Sequence, residues 1–390
     1  MLSLTADLNV TERELGVYFH WPYCTVICPY CDFNVYRERG HDSQPLLEMM
    51  QADLAWHREQ LGARPFTSLF FGGGTPSLLS AAGLSGLIER CDELFGFAPN
   101  IEITLEANPT DVEMVRFADF SSIGVNRLSL GIQALDDTSL NRLGRTHSAD
   151  DGRRAIEIAT RCFDRVSLDL IYARPEQSAE AWERELTEAI AFGTQHISPY
   201  QLTIEKGTAF ERAVARGAFV VPNAEHAADL YELTQVILEQ AGFESYEVSN
   251  HAKSPKAQSV HNQLYWRSQD WMGIGPGAHG RIPLGNHARV ATEALRRPEA
   301  YLKAVKTFGH GLDVNEALTV AACKEEFWLM GLRMSQGVSR KDARQRNTDL
   351  ADSCFEGLAS EGLMEVSHDV AKLTARGRLL TNSVVRALLI

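Results

Sequence analysis

No stretch of this chain reaches the ~18 uninterrupted apolar residues that a membrane-spanning helix needs. The residues from Met1 to Asp7 carry no basic region and no apolar core, so no secretory signal is expected. No run of lysine and arginine is present and the net charge is −13, whereas nucleic-acid binders need a basic footprint. No nucleic-acid partner is therefore expected. No Gly-Lys-Ser or Gly-Lys-Thr occurs, which excludes a phosphate loop of that type. The seven cysteines are odd in number and lack paired spacing. That argues against a disulfide framework and for a reducing compartment, expected to be the cytoplasm. Internal repeats, low-complexity tracts and long linkers are also missing. What remains is an ordinary globular composition, 44% apolar over 390 residues. That length suits one large domain and a smaller one.

The cysteines are unevenly placed. Cys24, Cys28 and Cys31 fall within eight residues, spaced C-x3-C-x2-C. Three thiolates on one loop can hold three irons of a cubane [4Fe–4S] cluster and leave the fourth iron open. An open metal position is a place for substrate or chemistry, as at catalytic zinc. A structural zinc site would want a fourth Cys or His in a second pair. Cys91, Cys162, Cys323 and Cys354 each stand alone. Burial as small apolar residues is the plain alternative, and three at this spacing is hard to reconcile with it.

Apolar and β-branched runs predict strands at 17–20, 67–71, 101–106, 127–130, 165–171 and 196–202. Helical spacing predicts helices over 44–61, 81–95 and 223–241, with another led by Asp111. Strands alternating with helices over six units signify repeated βαβ and a parallel sheet. Polar or glycine residues fall where the strands end: Gly72 to Thr75, Glu106, Gln133 and Asp169. In a closed or partly closed β/α barrel, sites sit at those ends. Turns and caps explain any one of these residues, but not their recurrence. A probable strand at 244–248 follows, then His261, Asn262, Tyr265 and Trp266, then a glycine-rich run from Met272 to Gly280. Helices are expected over 315–334, within 340–362 and over 374–389, with a small hairpin at 363–373. This predicts a barrel domain over residues 1–309 and a winged-helix-like domain over 310–390.

Each polar group suits a small ligand. The glycines let a ligand approach the backbone. Glu106 at a strand end can receive an amine. Gln133, Arg145 and Asp169 supply an amide, a cation and a carboxylate, suited to hydroxyls and a carboxylate. Neutral imidazole, as in His261, is a standard heme-iron ligand, and Tyr265 and Trp266 offer flat faces to a porphyrin. A lone histidine is more often structural, and His279 in its glycine-rich turn is the competing candidate.

Taken together, the cysteine loop with Tyr30, the Gly73-Gly74-Thr75-Pro76 turn and the Glu106-Ala107-Asn108-Pro109 turn resemble the radical S-adenosylmethionine (SAM) superfamily. The resemblance implies a partial (β/α)6 TIM-type barrel and a [4Fe–4S] cluster on Cys24, Cys28 and Cys31. The amino and carboxylate groups of SAM would chelate the open iron, and reductive cleavage would give a 5′-deoxyadenosyl radical. Over nearly the whole chain the likeness narrows to the oxygen-independent coproporphyrinogen III oxidase group. Carried over by position, Tyr18, Gly73 and Glu106 would contact the SAM on the cluster. Tyr30, Gly74, Thr75, Gln133, Arg145 and Asp169 match positions that hold a second SAM in the oxidase.

Two departures matter. The oxidase has a fourth cysteine where this chain has Phe33, and a longer arm before the loop. Both point to the HemW branch of heme chaperones, whose His-Asn-x-x-Tyr-Trp motif is met by residues 261–266. That match favours His261 as a heme-iron ligand. A third, local departure is Ala173-Arg174, where the branch usually has Gly-Leu. The implied function is heme binding and transfer to an acceptor apoprotein, one held in a membrane included. A homodimer is compatible with it, and an electron donor is needed if SAM is cleaved. The alternative is a radical-SAM enzyme acting on coproporphyrinogen III or another tetrapyrrole.

Overall fold

A computed structural model describes residues 13–285 and 287–389. The segment Met1 to Asp7, read above as lacking a secretory signal, lies outside the described residues. Among the described residues, one sheet of 12 strands forms the frame. Its parallel strands are β1 (Leu15–Trp21), β2 (Phe66–Gly73), β3 (Phe97–Ala107), β4 (Arg127–Gln133), β5 (Arg165–Tyr172), β6 (His196–Gln201) and β7 (Asp270–Ile274). The spatial order is β7-β1-β2-β3-β4-β5-β6, so the first six strands follow chain order, as a β/α barrel requires. Beyond β7 the sheet continues antiparallel through β8 (His279–Leu284), β9 (His287–Ala294) and β10 (Leu312–Ala317). Beyond β6 it continues through two-residue strands at His251–Ala252 and Glu244–Ser245. The barrel is therefore partial.

The parallel strands are buried on both faces, which is why they read as near-continuous apolar runs. β1 and β2 show it, with Phe19 stacked on Phe71 at 4.9 Å. Local signals set the helix starts: the Ser80, Ser148, Ser178 and Asn223 side chains each accept a backbone N–H at an N-cap. The Ser148 cap is a full capping box with Asp151.

The glycine-rich run makes the expected tight turn, closed by the Ala278 N–H on the Gly275 carbonyl, between β7 and β8; Gly273 and Gly280 let the two strands approach where a Cβ would collide with backbone. Two expectations are corrected. The 244–248 strand is only Glu244–Ser245. The helix expected from 315 begins at Val320, since residues 312–317 pair with β9. The large sheet thus runs past the 309/310 boundary read from the sequence. A second core follows, built around Trp328, Phe355, Leu363 and Val384, under the three-stranded sheet Val338–Ser339, Val370–Leu373, Met364–Val366. Among the described residues no helix is long and apolar enough to cross a membrane.

Candidate functional site

A cavity of about 700 Å³ opens at the carboxyl ends of the parallel strands. Cys24, Cys28, Tyr30, Cys31, Gly73, Gly74, Thr75, Glu106, Gln133, Arg145 and Asp169 all line it. Residues from six separate segments of sequence therefore meet in one place.

The cysteine loop is tied down at both ends. Tyr23–Cys24 pairs with Tyr36–Arg37, and the Glu38 N–H donates to the Cys24 carbonyl at 2.8 Å. Asn34 donates to the Pro276 carbonyl at 2.9 Å and accepts, at its own carbonyl, from His20 Nε2 at 3.0 Å. Between these anchors all three thiols are half-buried. Burial pushes the Cys24 thiol up, against a hydrogen bond from Thr75, and raises Cys31 to about 11. Metal binding releases such protons, because the thiolate is the ligand. Among the described residues no three donors converge on a single-ion position. Each iron of a cubane takes its own thiolate, so the donors need to face a common cavity rather than a common atom. The three thiols do face one, so they fit a cluster better than a lone closed metal.

The glycine turn supports the loop. The Gly74 N–H donates to the Trp21 carbonyl at 2.6 Å and the Thr75 N–H to the Tyr23 carbonyl at 2.9 Å. A Cβ on Gly74 would lie 2.6 Å from the Tyr23 carbonyl oxygen and 2.8 Å from that of Trp21. Gly73 has φ +102°, and a Cβ there would meet the His20 ring. These glycines thus serve backbone packing as well as ligand access. Gly74→Ala is expected to displace the base of the cysteine loop. The check is cluster reconstitution, with iron retention falling while the circular dichroism of the barrel stays unchanged.

The carboxylates sit deeper. Parallel register sets Glu106 beside Ser129, Ser129 beside Ser167, and Asp169 beside Ser198. Ser129 and Ser167 donate to Asp169 at 2.8 and 3.2 Å. Burial raises Asp169 to about 6, and the serine hydroxyls oppose that shift. Burial, then the nearby Asp169 charge, raises Glu106 to about 8, although the Gly73 N–H donates to it at 3.1 Å. At neutral pH Glu106 holds its proton and can donate as well as accept. Arg145 donates to the Gly131 carbonyl at 2.9 Å and reaches Cys28 Sγ at 3.5 Å. Asn108, Ser129 and Tyr200 also line the cavity and were not singled out by sequence. Asn108 was visible in its motif; Ser129 and Tyr200 carry no signal outside the fold.

Two residues lie elsewhere. Tyr18 is not in the lining; it faces the barrel interior below, bonded to His20 Nδ1 at 3.0 Å. His261 is at the opposite end. The helix Val260–Trp266 plugs the amino ends of the strands, with Leu264 and His261 packed over Gly16. His261 Nδ1 bonds Ser68 Oγ at 2.8 Å and Nε2 bonds the Tyr265 hydroxyl at 2.5 Å. The ring is 1% exposed and stacked on Phe70. It therefore has both ring nitrogens engaged in this conformation. Burial lowers it to about 3, so it is neutral. His279 is the exposed imidazole of the pair, on the edge of β8.

The family model for the radical SAM superfamily matches residues 18–189. Over 97% of its length the chain is 38% identical to a Bos taurus protein named radical S-adenosyl methionine domain-containing protein 1, mitochondrial, covering 88% of it. It is 35% identical to the Mycobacterium tuberculosis heme chaperone HemW, covering 97% of this chain and 95% of that one. For Escherichia coli heme chaperone HemW the identity is 33%, with 96% and 98% covered. Among solved structures, Escherichia coli coproporphyrinogen III oxidase (HemN) superposes with a TM-score of 0.82 over 99% of this chain and 93% of that one. At 23% identity it shares the fold.

Proposed function

The chain belongs to the radical SAM superfamily, in its HemW branch, and from that premise we propose that it binds heme and passes it to an acceptor apoprotein. The observation that carries the reading is end-to-end similarity to relatives named heme chaperones, joined to Phe33 in place of a fourth cysteine. Phe33 is 59% exposed at the cavity rim. Cys24, Cys28 and Cys31 are assigned to a [4Fe–4S] cluster. Gly73, Gly74, Thr75, Glu106, Gln133, Arg145 and Asp169 are assigned to SAM, with Tyr30 beside them and Tyr18 acting from below. Cluster and SAM together supply one-electron chemistry when bound, and an electron donor is then required. The protein contributes a half-closed cavity, a protonated Glu106 and hydroxyl-bonded Asp169. A cytoplasmic site of action suits its free thiols, and the acceptor is a protein in that compartment or in the adjoining membrane.

His261 is the proposed iron ligand. It is neutral, as ligation requires, but its bonds to Ser68 and Tyr265 must break first. The test is an anaerobic heme titration of cluster-reconstituted protein, followed at the Soret band. His261→Ala is expected to weaken binding by about tenfold or more, ~1.4 kcal/mol, and His279→Ala to leave it unchanged. The reverse pattern would transfer the assignment to His279. No saturable binding in the unaltered protein would remove the chaperone reading.

One observation favours a second reading. The polar set Glu106, Gln133, Arg145 and Asp169 stands intact in one cavity, which suits an enzyme acting on a tetrapyrrole. Formation of 5′-deoxyadenosine and a decarboxylated porphyrinogen in anaerobic assay would support it.

A further inference from the structure

Backbone strain is concentrated behind one wall of the cavity. Among the described residues six non-glycine positions have positive φ. Three of them lie at the ends of β4 and β5: Gln133 at +66°, Ala173 at +56° and Glu176 at +63°. Such conformations cost of order 1–3 kcal/mol each and persist where surrounding structure over-determines them. Here the surrounding structure is a buried ion pair. Arg174 and Glu185 are 5% and 8% exposed. Arg174 Nη1 donates to one Glu185 oxygen at 3.1 Å and Nη2 donates to the other.

The pair does more than neutralise itself. Glu185 accepts the Leu135 N–H at 2.7 Å. Arg174 Nη1 also reaches the Gln133 carbonyl at 3.4 Å. Gln177 closes the arrangement, accepting the Arg174 N–H at 3.2 Å and donating to Glu185 at 3.4 Å. Both residues that flank Ala134 are thus gripped through their backbones from the β5 side. Gln133 is the one whose side chain lines the cavity. Its amide nitrogen lies over Gly131, 2.9 Å from where a Cβ would stand. Arginine supplies this fork where an aliphatic side chain such as leucine would supply none.

We propose that Arg174 is a positioning residue for SAM binding, acting through the Gln133 and Leu135 backbone to hold the Gln133 amide at the cavity wall. This rests on the reading that the cavity takes SAM. An ordinary buried ion pair would contribute stability and nothing more, so the test separates the two.

SAM affinity is measured by calorimetry on cluster-reconstituted full-length protein for Arg174→Leu, Gln133→Ala and the double variant. Hydrogen exchange over residues 131–136 is followed in the same proteins without SAM. Arg174→Leu is expected to weaken SAM by roughly tenfold and to speed exchange over that segment. The double variant is expected to bind no more weakly than Gln133→Ala alone, because the arginine acts through that glutamine. Losses that multiply in the double variant, or unchanged exchange over 131–136, would overturn the proposal. If Arg174→Leu folds poorly because Glu185 is left unpaired, Arg174→Leu with Glu185→Gln removes that charge and keeps the acceptor for Leu135. If the unaltered protein binds no SAM, the reading of the cavity falls. Faster exchange in the variant would still support the positioning role.

Discussion

Glu102→Ala is expected to lower the free energy of unfolding by about 3–5 kcal/mol, the cost of breaking a buried ion pair from one side. Glu102 is fully buried midway along β3. It bonds Arg165, lies 3.8 Å from Arg127, and accepts the Val260 and His261 N–H groups at 3.0 and 2.9 Å. One carboxylate thus pairs with two arginines and caps the helix that carries His261. Burial works to raise its pKa, but Arg127 and Arg165 together with those N–H donors hold it below the ordinary value. A carboxyl depressed in this way stabilises the fold above its unfolded pKa and loses that contribution as pH falls through the folded value. Denaturant unfolding at pH 7 should show a lower midpoint with an unchanged slope. Hydrogen exchange should rise first at residues 260–266. A midpoint shifted by less than the equivalent of 1 kcal/mol would mean that the helix is held by its apolar contacts alone.

Alanine in place of any one of Cys24, Cys28 or Cys31 is expected to abolish the iron–sulfur cluster. The three thiols are half-buried in a surface loop whose anchors are backbone pairs and Asn34, so the barrel should fold without them. Iron and sulfide analysis after anaerobic reconstitution should fall to background in each variant, with the visible absorption of the cluster. Cys91→Ala gives the contrast. Cys91 is fully buried in the helix Ala81–Phe95, so its loss should cost stability and leave iron content unchanged. Full iron in Cys31→Ala would sink the assignment.

The strands carrying the cavity were readable because a parallel strand buried on both faces leaves an apolar run that ends in its polar residue. Glu106 and Gln133 were found by that rule, and the helix over 44–61 by spacing alone; Asp169, expected at a strand end, instead lies inside β5, three residues before its end. The antiparallel extension was not readable. Its β10 residues, Leu312 to Ala317, are mostly exposed and polar at an edge, so no period marked them as strand. The location of His261 was unreadable for a different reason. A motif names residues but not the end of the barrel at which they lie, and only tertiary packing brings Ser68 to its Nδ1. Arg174 and Glu185 were equally invisible as a pair, since their fork exists only once β5 is followed by its helix. The glycines were legible as a turn, but what they pack against, the His20 ring and the carbonyls of Trp21 and Tyr23, is set far back in the chain.

The small core around Trp328 shares no buried residue with the large one. It meets the barrel beside Trp266 through a short seam. Glu326 is clasped by Arg281 and Arg289, Arg346 donates to the Ser268 carbonyl at 2.8 Å, and Arg333 lies over the Trp266 ring. That seam lies against the helix Val260–Trp266 and involves no residue of the cavity lining or the thiol loop. Substitutions there should therefore alter how firmly the two cores are held together while leaving the cluster content of the thiol loop unchanged.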